Sequence, residues 1–141
     1  MRKIILASHH RLASGMADTL AYIMPTVTNV VAIDAYMDNQ PVIDQIAEVL
    51  ADLTEKDEAI IFTDLLGGSV NQAFVPYASQ KNIHLITGMN LPVIMTLLLA
   101  LDDDPVQPDQ IQYAINEGQS QLINVKDFLA KQAEALDEED E

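Results

Sequence analysis

The chain contains no cysteine, which excludes a disulfide framework, a thiolate zinc site and a thiol nucleophile. Positive charge is scarce as well. Seven lysines and arginines stand against 22 aspartates and glutamates, for a formal net charge of −15. Such a surface repels phosphate backbones and anionic lipids, so neither nucleic acid nor a membrane surface is an expected partner, and a partner with a basic face is favoured. Long apolar runs are missing too. Leu91 to Leu101 gives about eleven residues, where a membrane span needs about twenty. The apolar stretch behind Arg2 and Lys3 is too short for a signal peptide. These absences predict a cytoplasmic protein without direct membrane insertion. Two nucleotide-binding signatures, G-x-G-x-x-G and the P-loop lysine pattern, are also missing.

What is present suits one folded domain. The chain has 141 residues, and 49% of them are hydrophobic, enough for a real core. Apolar runs at Lys3–Ala7, Val27–Ile33, Ala59–Thr63 and Ile83–Thr87 read as buried strands. Between them lie helical patterns: Leu12–Met24, ended by Pro25, and Val42–Leu53, announced by "DNQP". Gly67-Gly68-Ser69 opens another helix, which Pro76 should kink or delay. Leu91–Leu101, apolar all round, predicts a buried helix that "DDDP" at 102–105 breaks. Ile111–Glu117 reads as helix, Gln121–Val125 as a short fifth strand and Lys126–Leu136 as a last helix. Residues 137–141 form an acidic tail, expected to be solvated and frayed. No repeat or low-complexity linker divides the chain. Alternating buried strands and helices predict a doubly wound α/β domain over 1–136, a mostly parallel sheet with helices on both faces. The expected strand order is 2-1-3-4, which lets a site be assembled between neighbouring strand ends.

In such folds the ligand site lies at the carboxyl ends of the strands, near the point where the strand order reverses. His9 and His10, two of the three histidines, follow the first strand. Asp64 and Gly67-Gly68-Ser69 follow the third, which the order 2-1-3-4 makes its neighbour. A neutral imidazole is a nucleophile when its lone pair is exposed, and a carboxylate on the other ring nitrogen fixes tautomer and direction. Asp64 is the candidate orienter. Glycines let backbone N–H groups approach an anion, and Ser69 adds a hydroxyl donor. Each feature alone has an ordinary explanation: a polar residue after a strand, a turn cap, a common loop. Their convergence at two neighbouring strand ends suggests a phosphohistidine. His84, inside the fourth strand, is expected to be structural.

Three ordered motifs then resemble a known family. "SHHRLASGM" is similar to its S-H-G-x-x-A-x-G segment, "FTDLLGGSVNQAF" to its D-x-x-G-G-S-P segment, and "GMNLPVIMTLL", followed by "DDDP", to its G-x-N-x-P-M-L segment. The family is the mannose-type enzyme IIA domain of the bacterial phosphoenolpyruvate:sugar phosphotransferase system, and the resemblance covers essentially the whole chain. It implies that His9 accepts a phosphoryl group from the phosphocarrier HPr and passes it to a histidine of enzyme IIB, which phosphorylates the incoming sugar. It implies that Asp64 orients His9 and that Ser69, with Gly67 and Gly68, lies at the phosphate. It also implies a homodimer that exchanges the short antiparallel edge strand Gln121–Val125. No cofactor and no metal are expected. Two positions depart from the pattern. His10 replaces a glycine, which sets a second imidazole beside the matched one, and Val70 replaces a proline suited to the first helical position.

Other functions remain to be weighed. A metal-dependent hydrolase would use His9, His10 and Asp64, but adjacent residues on an extended chain point to opposite sides. A non-catalytic nucleotide-binding module would rest on the Gly-Gly-Ser turn alone. Within the family, a similar domain donates phosphate to dihydroxyacetone kinase instead of a sugar permease.

Overall fold

The computed structural model describes residues 1–139. Its element order is β1 (Arg2–His9), α1 (Leu12–Ile23), β2 (Val30–Ala35), α2 (Val42–Leu50), β3 (Glu58–Thr63), α3 (Ser69–Phe74), a 3₁₀ turn (Val75–Tyr77), β4 (Ile83–Thr87), α4 (Leu91–Ala100), α5 (Pro108–Ser120) and α6 (Val125–Glu139). The four strands form one parallel sheet, as the alternating pattern predicts, in the expected order β2-β1-β3-β4. The Pro76 break is also found, as the 3₁₀ turn that ends α3.

Strand periodicity divides the core between two faces. Ile4, Leu6, Ile60, Phe62 and Ile86 point to one face and pack under Ala13 and Leu20 of α1, Val93, Ile94 and Leu97 of α4 and Ala114 of α5. Ile5, Ala7, Ile33, Ala35 and Ile61 point to the other and meet Ile46 of α2 with Val70 and Phe74 of α3. β1 and β3 are buried throughout their central residues because both faces are covered. The chain leaves β1 through α1 on the first face and leaves β2 through α2 on the second. The gap between the carboxyl ends of β1 and β3 is therefore the switch point.

Polar ties hold the ends of this frame. Arg2 Nε donates to Glu58 Oε1 at 2.8 Å, and its two terminal nitrogens donate to the carbonyls of Asp102 and Asp104. Glu58 Oε2 accepts from the buried N–H of Val106. The "DDDP" stretch thus breaks a helix and also docks the start of α5 onto the amino ends of β1 and β3. His84 is half-buried in β4, 3.4 Å from Glu58 Oε2, on this end of the sheet and far from the strand termini that carry His9.

Several expected boundaries move. β2 begins at Val30 rather than Val27 because Asn29 takes a left-handed φ of +61° and its carbonyl accepts from Ile4 N–H, fixing Ile4 opposite Val30. α4 is buried on one side at Val93, Ile94 and Leu97, but Leu99 is 75% exposed, so the all-round apolar pattern does not give all-round burial. The fifth strand is not formed among the described residues: Gln121 is a turn and 122–124 are irregular. A strand exists through its ladder, and no neighbouring edge pairs with this segment within the chain. Residues 137–139 are exposed and continue α6 instead of fraying, in keeping with an Ala-, Lys- and Glu-rich helix. The final two residues of the acidic tail lie outside the described residues.

α5 packs on α4 through Gly118. A Cβ there would meet Val93 Cβ at 2.7 Å and Asn90 Oδ1 at 3.2 Å. Asn90 caps α4 by accepting from Val93 N–H and donates to the Gly118 carbonyl, so helix start and helix crossing share one side chain. Gly118→Ala should therefore destabilise the protein by about 1–3 kcal/mol, the usual range for overpacking, although alanine is favoured over glycine in helices by about 1 kcal/mol. Urea denaturation decides between the two: a more stable variant would contradict the close crossing.

Candidate functional site

The register of the sheet brings the two motifs together. In the β1–β3 ladder the last pair is Ala7 with Thr63, so His9 extends past the end of that ladder beside Asp64 while still paired with Ala35 of β2. His9 shares its side of β1 with Ile5 and Ala7, the face on which α3 packs. Its ring therefore turns toward the loop that opens α3. Ser8, on the other side, caps α1: its Oγ accepts from Ala13 N–H at 2.7 Å and donates to the His10 carbonyl at 3.0 Å. Asp34, at the end of β2, accepts from both the backbone and the hydroxyl of Ser14. These two anchors pin the start of α1 behind His9.

His9 and Asp64 are joined twice. Asp64 Oδ2 accepts from the backbone N–H of His9 at 2.9 Å and stands 2.8 Å from His9 Nδ1. Oδ1 accepts from Leu65 N–H at 3.0 Å. The Asp64 side chain is buried to 7% exposure. Burial works to raise its pKa, but hydrogen bonds from the His9 backbone and ring, with attraction to the ring, outweigh it and hold the carboxyl below its ordinary value. An ionised carboxylate only accepts, so Nδ1 carries the hydrogen in the neutral ring and the lone pair sits on Nε2.

Nε2 faces α3. Ser69 Oγ lies 3.3 Å from it. Gly67, at φ +75°, makes the left-handed turn that brings α3 to this position. Gly68 keeps the imidazole's space open: a Cβ there would stand 3.4 Å from His9 Cε1 and 3.2 Å from Leu65 Cβ and O. Below the loop, Thr63 Oγ1 donates to the buried Asn71 Oδ1 at 2.8 Å and lies 2.8 Å from Thr87 Oγ1, tying β3, α3 and β4 together. Val70, in place of proline, is fully buried against the sheet, so its side chain fixes the start of α3 by packing.

The five residues singled out in the sequence, His9, Asp64, Gly67, Gly68 and Ser69, thus converge at one place. His10 does not join them. It is exposed, with φ +53°, and its N–H donates to the Ala35 carbonyl as the chain turns out of β1. Among the described residues no group of three or more His, Cys, Asp or Glu could hold a metal ion, so the ligand set His9, His10 and Asp64 is not assembled. Sequence reasoning missed Tyr36. Its hydroxyl lies 2.5 Å from Ser69 Oγ and its ring packs against His9. An aromatic residue just beyond the second strand was the available signal, but strand order alone does not say that it reaches across the site. The site is open rather than enclosed. A cleft of about 880 Å³ lies at the other end of the strands, around Glu58 and His84, and has no part in it.

Comparisons with known proteins agree with this architecture. The structure is similar to that of a Klebsiella pneumoniae subsp. pneumoniae protein described as a candidate phosphoenolpyruvate-dependent sugar phosphotransferase system permease, with TM-score 0.85 and 28% identity over 91% of this chain and 93% of the other. It is similar to a Streptococcus pneumoniae phosphotransferase system IIA protein associated with the fucose utilization operon, with TM-score 0.76 and 25% identity over 91% and 96%. A phosphotransferase system component EIIA from Streptococcus agalactiae shares the fold, with TM-score 0.75 and 24% identity over 89% and 98%. No curated protein matches the sequence. No helix among the described residues is long and apolar enough to cross a membrane. The family model for EIIA-man, the phosphotransferase system fructose IIA component, matches residues 3–110. The chain belongs to this mannose-type IIA family of the sugar phosphotransferase system, a family of phosphotransfer proteins.

Proposed function

We propose that this protein is a phosphohistidine carrier in which His9 Nε2 accepts a phosphoryl group from HPr and passes it to a histidine of enzyme IIB. The observation that carries the reading is the fixed imidazole: Nδ1 is held by Asp64 at 2.8 Å, while Nε2 faces the Ser69 hydroxyl at the exposed surface. The lone pair of Nε2 attacks phosphorus, and the bond from phosphorus to the donor imidazole breaks with its electron pair returning to the donor nitrogen. The ring keeps its Nδ1 hydrogen and gains cationic character, which the Asp64 carboxylate stabilises. Ser69, and the first-turn amides of α3 that lack helical acceptors, supply donors to the phosphoryl oxygens. Gly67 and Gly68 leave room for them. An open site suits this role, because donor and acceptor are proteins that must each dock on it. The acidic surface favours partners with a basic face. Residues 1–136 form the phosphocarrier domain in this reading, working in the cytoplasm on the supply side of sugar uptake.

We also propose a homodimer. Helix α6 buries none of its residues, and Leu122, Ile123, Val125, Phe128 and Leu129 are all exposed in the single chain. An apolar segment of this kind next to an irregular, unpaired stretch needs a cover. A second copy supplies one if 121–125 joins the partner's sheet edge and α6 follows it.

Four outcomes follow from these assignments. Incubation with phosphoenolpyruvate, enzyme I and HPr should add one acid-labile phosphate. His9→Ala should abolish it, and His10→Ala should leave most of it; phosphate mapped to His10 would reject the assignment. Asp64→Asn should slow transfer by about 10²-fold or more, by analogy with other oriented histidines, and NMR should place the phosphate on Nε2. The same variant has a pH signature. A carboxyl with a lowered folded pKa stabilises the fold above its unfolded value and loses that contribution as pH falls through the folded one. The stability gap between the parent and Asp64→Asn should be widest above about pH 4 and close below it, as read from thermal melts. Sedimentation should show a dimer at micromolar concentration, and a chain ending at Gly118 should aggregate. A well-folded monomer would remove the exchange but leave the His9 chemistry intact.

A further inference from the structure

Tyr36 lies outside every motif that the family resemblance uses, yet it touches two of the site's side chains. It follows β2 with φ +67°, a left-handed placement that is costly for a bulky aromatic residue. That turn aims the side chain across the site. The ring centroid lies 5.4 Å from that of His9, with the planes tilted by 41°. The phenol oxygen lies 2.5 Å from Ser69 Oγ, which lies 3.3 Å from His9 Nε2.

The hydrogens in this chain of contacts can be assigned by elimination. Asp64 only accepts, so Nδ1 of neutral His9 carries its hydrogen and Nε2 presents a lone pair. Ser69 has one hydroxyl hydrogen, and facing a lone pair requires donating it. The Ser69 oxygen is then left to accept, and the donor between the two hydroxyls is Tyr36. We infer that Tyr36 is a positioning residue for phosphoryl transfer: its phenol donates to Ser69 Oγ and so aims the Ser69 hydrogen at His9 Nε2 and then at the phosphoryl group. This inference rests on the proposed role of His9 as phosphoacceptor. When the Nε2 lone pair forms the new N–P bond, and the bond from phosphorus to the donor nitrogen breaks with its electron pair returning there, Nε2 stops being an acceptor. The Ser69 hydrogen, still directed by Tyr36, turns to a phosphoryl oxygen beside it. Without the phenol, Ser69 is free to rotate, and its oxygen lone pairs can meet the negative phosphoryl oxygens instead.

Tyr36→Phe keeps the ring and the backbone and removes only the donor. Transfer from phosphorylated HPr should be timed by rapid quench on the full chain, on Tyr36→Phe, on Ser69→Ala and on the double variant. Tyr36→Phe should slow transfer about five- to tenfold, the scale of one directed hydrogen bond, with an unchanged melting temperature and a displaced ¹⁵N resonance of His9 Nε2 in the unphosphorylated protein. In the Ser69→Ala background the same substitution should change the rate by less than about twofold, because the two hydroxyls act as one unit. Equal slowing in both backgrounds would show the phenol acting on the docked partner instead of through Ser69 and would overturn the inference, as would no slowing at all. If the parent protein took no phosphate on His9, the phosphoacceptor reading itself would fail; normal phosphorylation with an indifferent Tyr36→Phe would remove the role of Tyr36 alone.

Discussion

The contact between Asp64 and His9 is the constraint on which the site depends. One carboxylate oxygen takes both the backbone N–H and the ring Nδ1 of His9. The backbone bond extends the β1–β3 pairing by one side chain beyond the last ladder partner, Ala7 with Thr63. The ring bond fixes the tautomer. A single residue thus couples the closing of the switch point to the direction of a lone pair. The coupling is effective because Asp64 is buried and has its other oxygen satisfied by Leu65 N–H, so its charge cannot turn away to water.

The rest of the fold serves that contact by parity and by close approach. Because His9 falls on the odd side of β1, it faces α3; had it fallen one residue earlier, it would face α1, where Ser8 now caps the helix. Gly68 is required there by space, since a side chain would press on both Leu65 and the imidazole. Gly67 is required by backbone conformation. The two glycines that read as one motif in the sequence answer two different physical demands. Tyr36, and His10 beside the site, accept left-handed backbone geometry without glycine's freedom. Such local strain is tolerated where the surrounding sheet is rigid, and β1 with β3 is the most thoroughly buried part of the molecule.

The C-terminal third behaves differently. α5 is locked to α4 through Gly118 and Asn90, but beyond Gln121 the chain buries no side chain among the described residues. Its apolar residues alternate with lysines and acids along α6, an amphipathic pattern whose apolar residues stay exposed in the single chain. The acidity of the molecule is carried on the remaining surface, and the scarce cations are partly spent on ion pairs within the chain: Arg2 on Glu58 and Lys3 on Asp52. What is left is a strongly negative exterior.

Composition and periodicity by themselves determined four of the five expected strands, the helices between them and the parallel sheet, and they placed His9 and Asp64 at strand ends that the order 2-1-3-4 makes neighbours. Local patterns suffice there because alternation and helical spacing report burial directly, and because the order 2-1-3-4 leaves few ways to place two strand ends together. Gly118 was unreadable, since its cause is a helix crossing that no local window contains. Tyr36 was unreadable for a related reason: its reach to Ser69 depends on a positive φ and on β2 and α3 converging from positions 33 residues apart. The segment 121–125 had the composition of a strand, but a strand needs a partner edge, and composition carries no information about where that edge lies. Sequence determined which residues want burial, a carboxylate or a turn; tertiary structure decided which of them meet, because contact depends on register, handedness and close packing, and these are properties of the whole sheet.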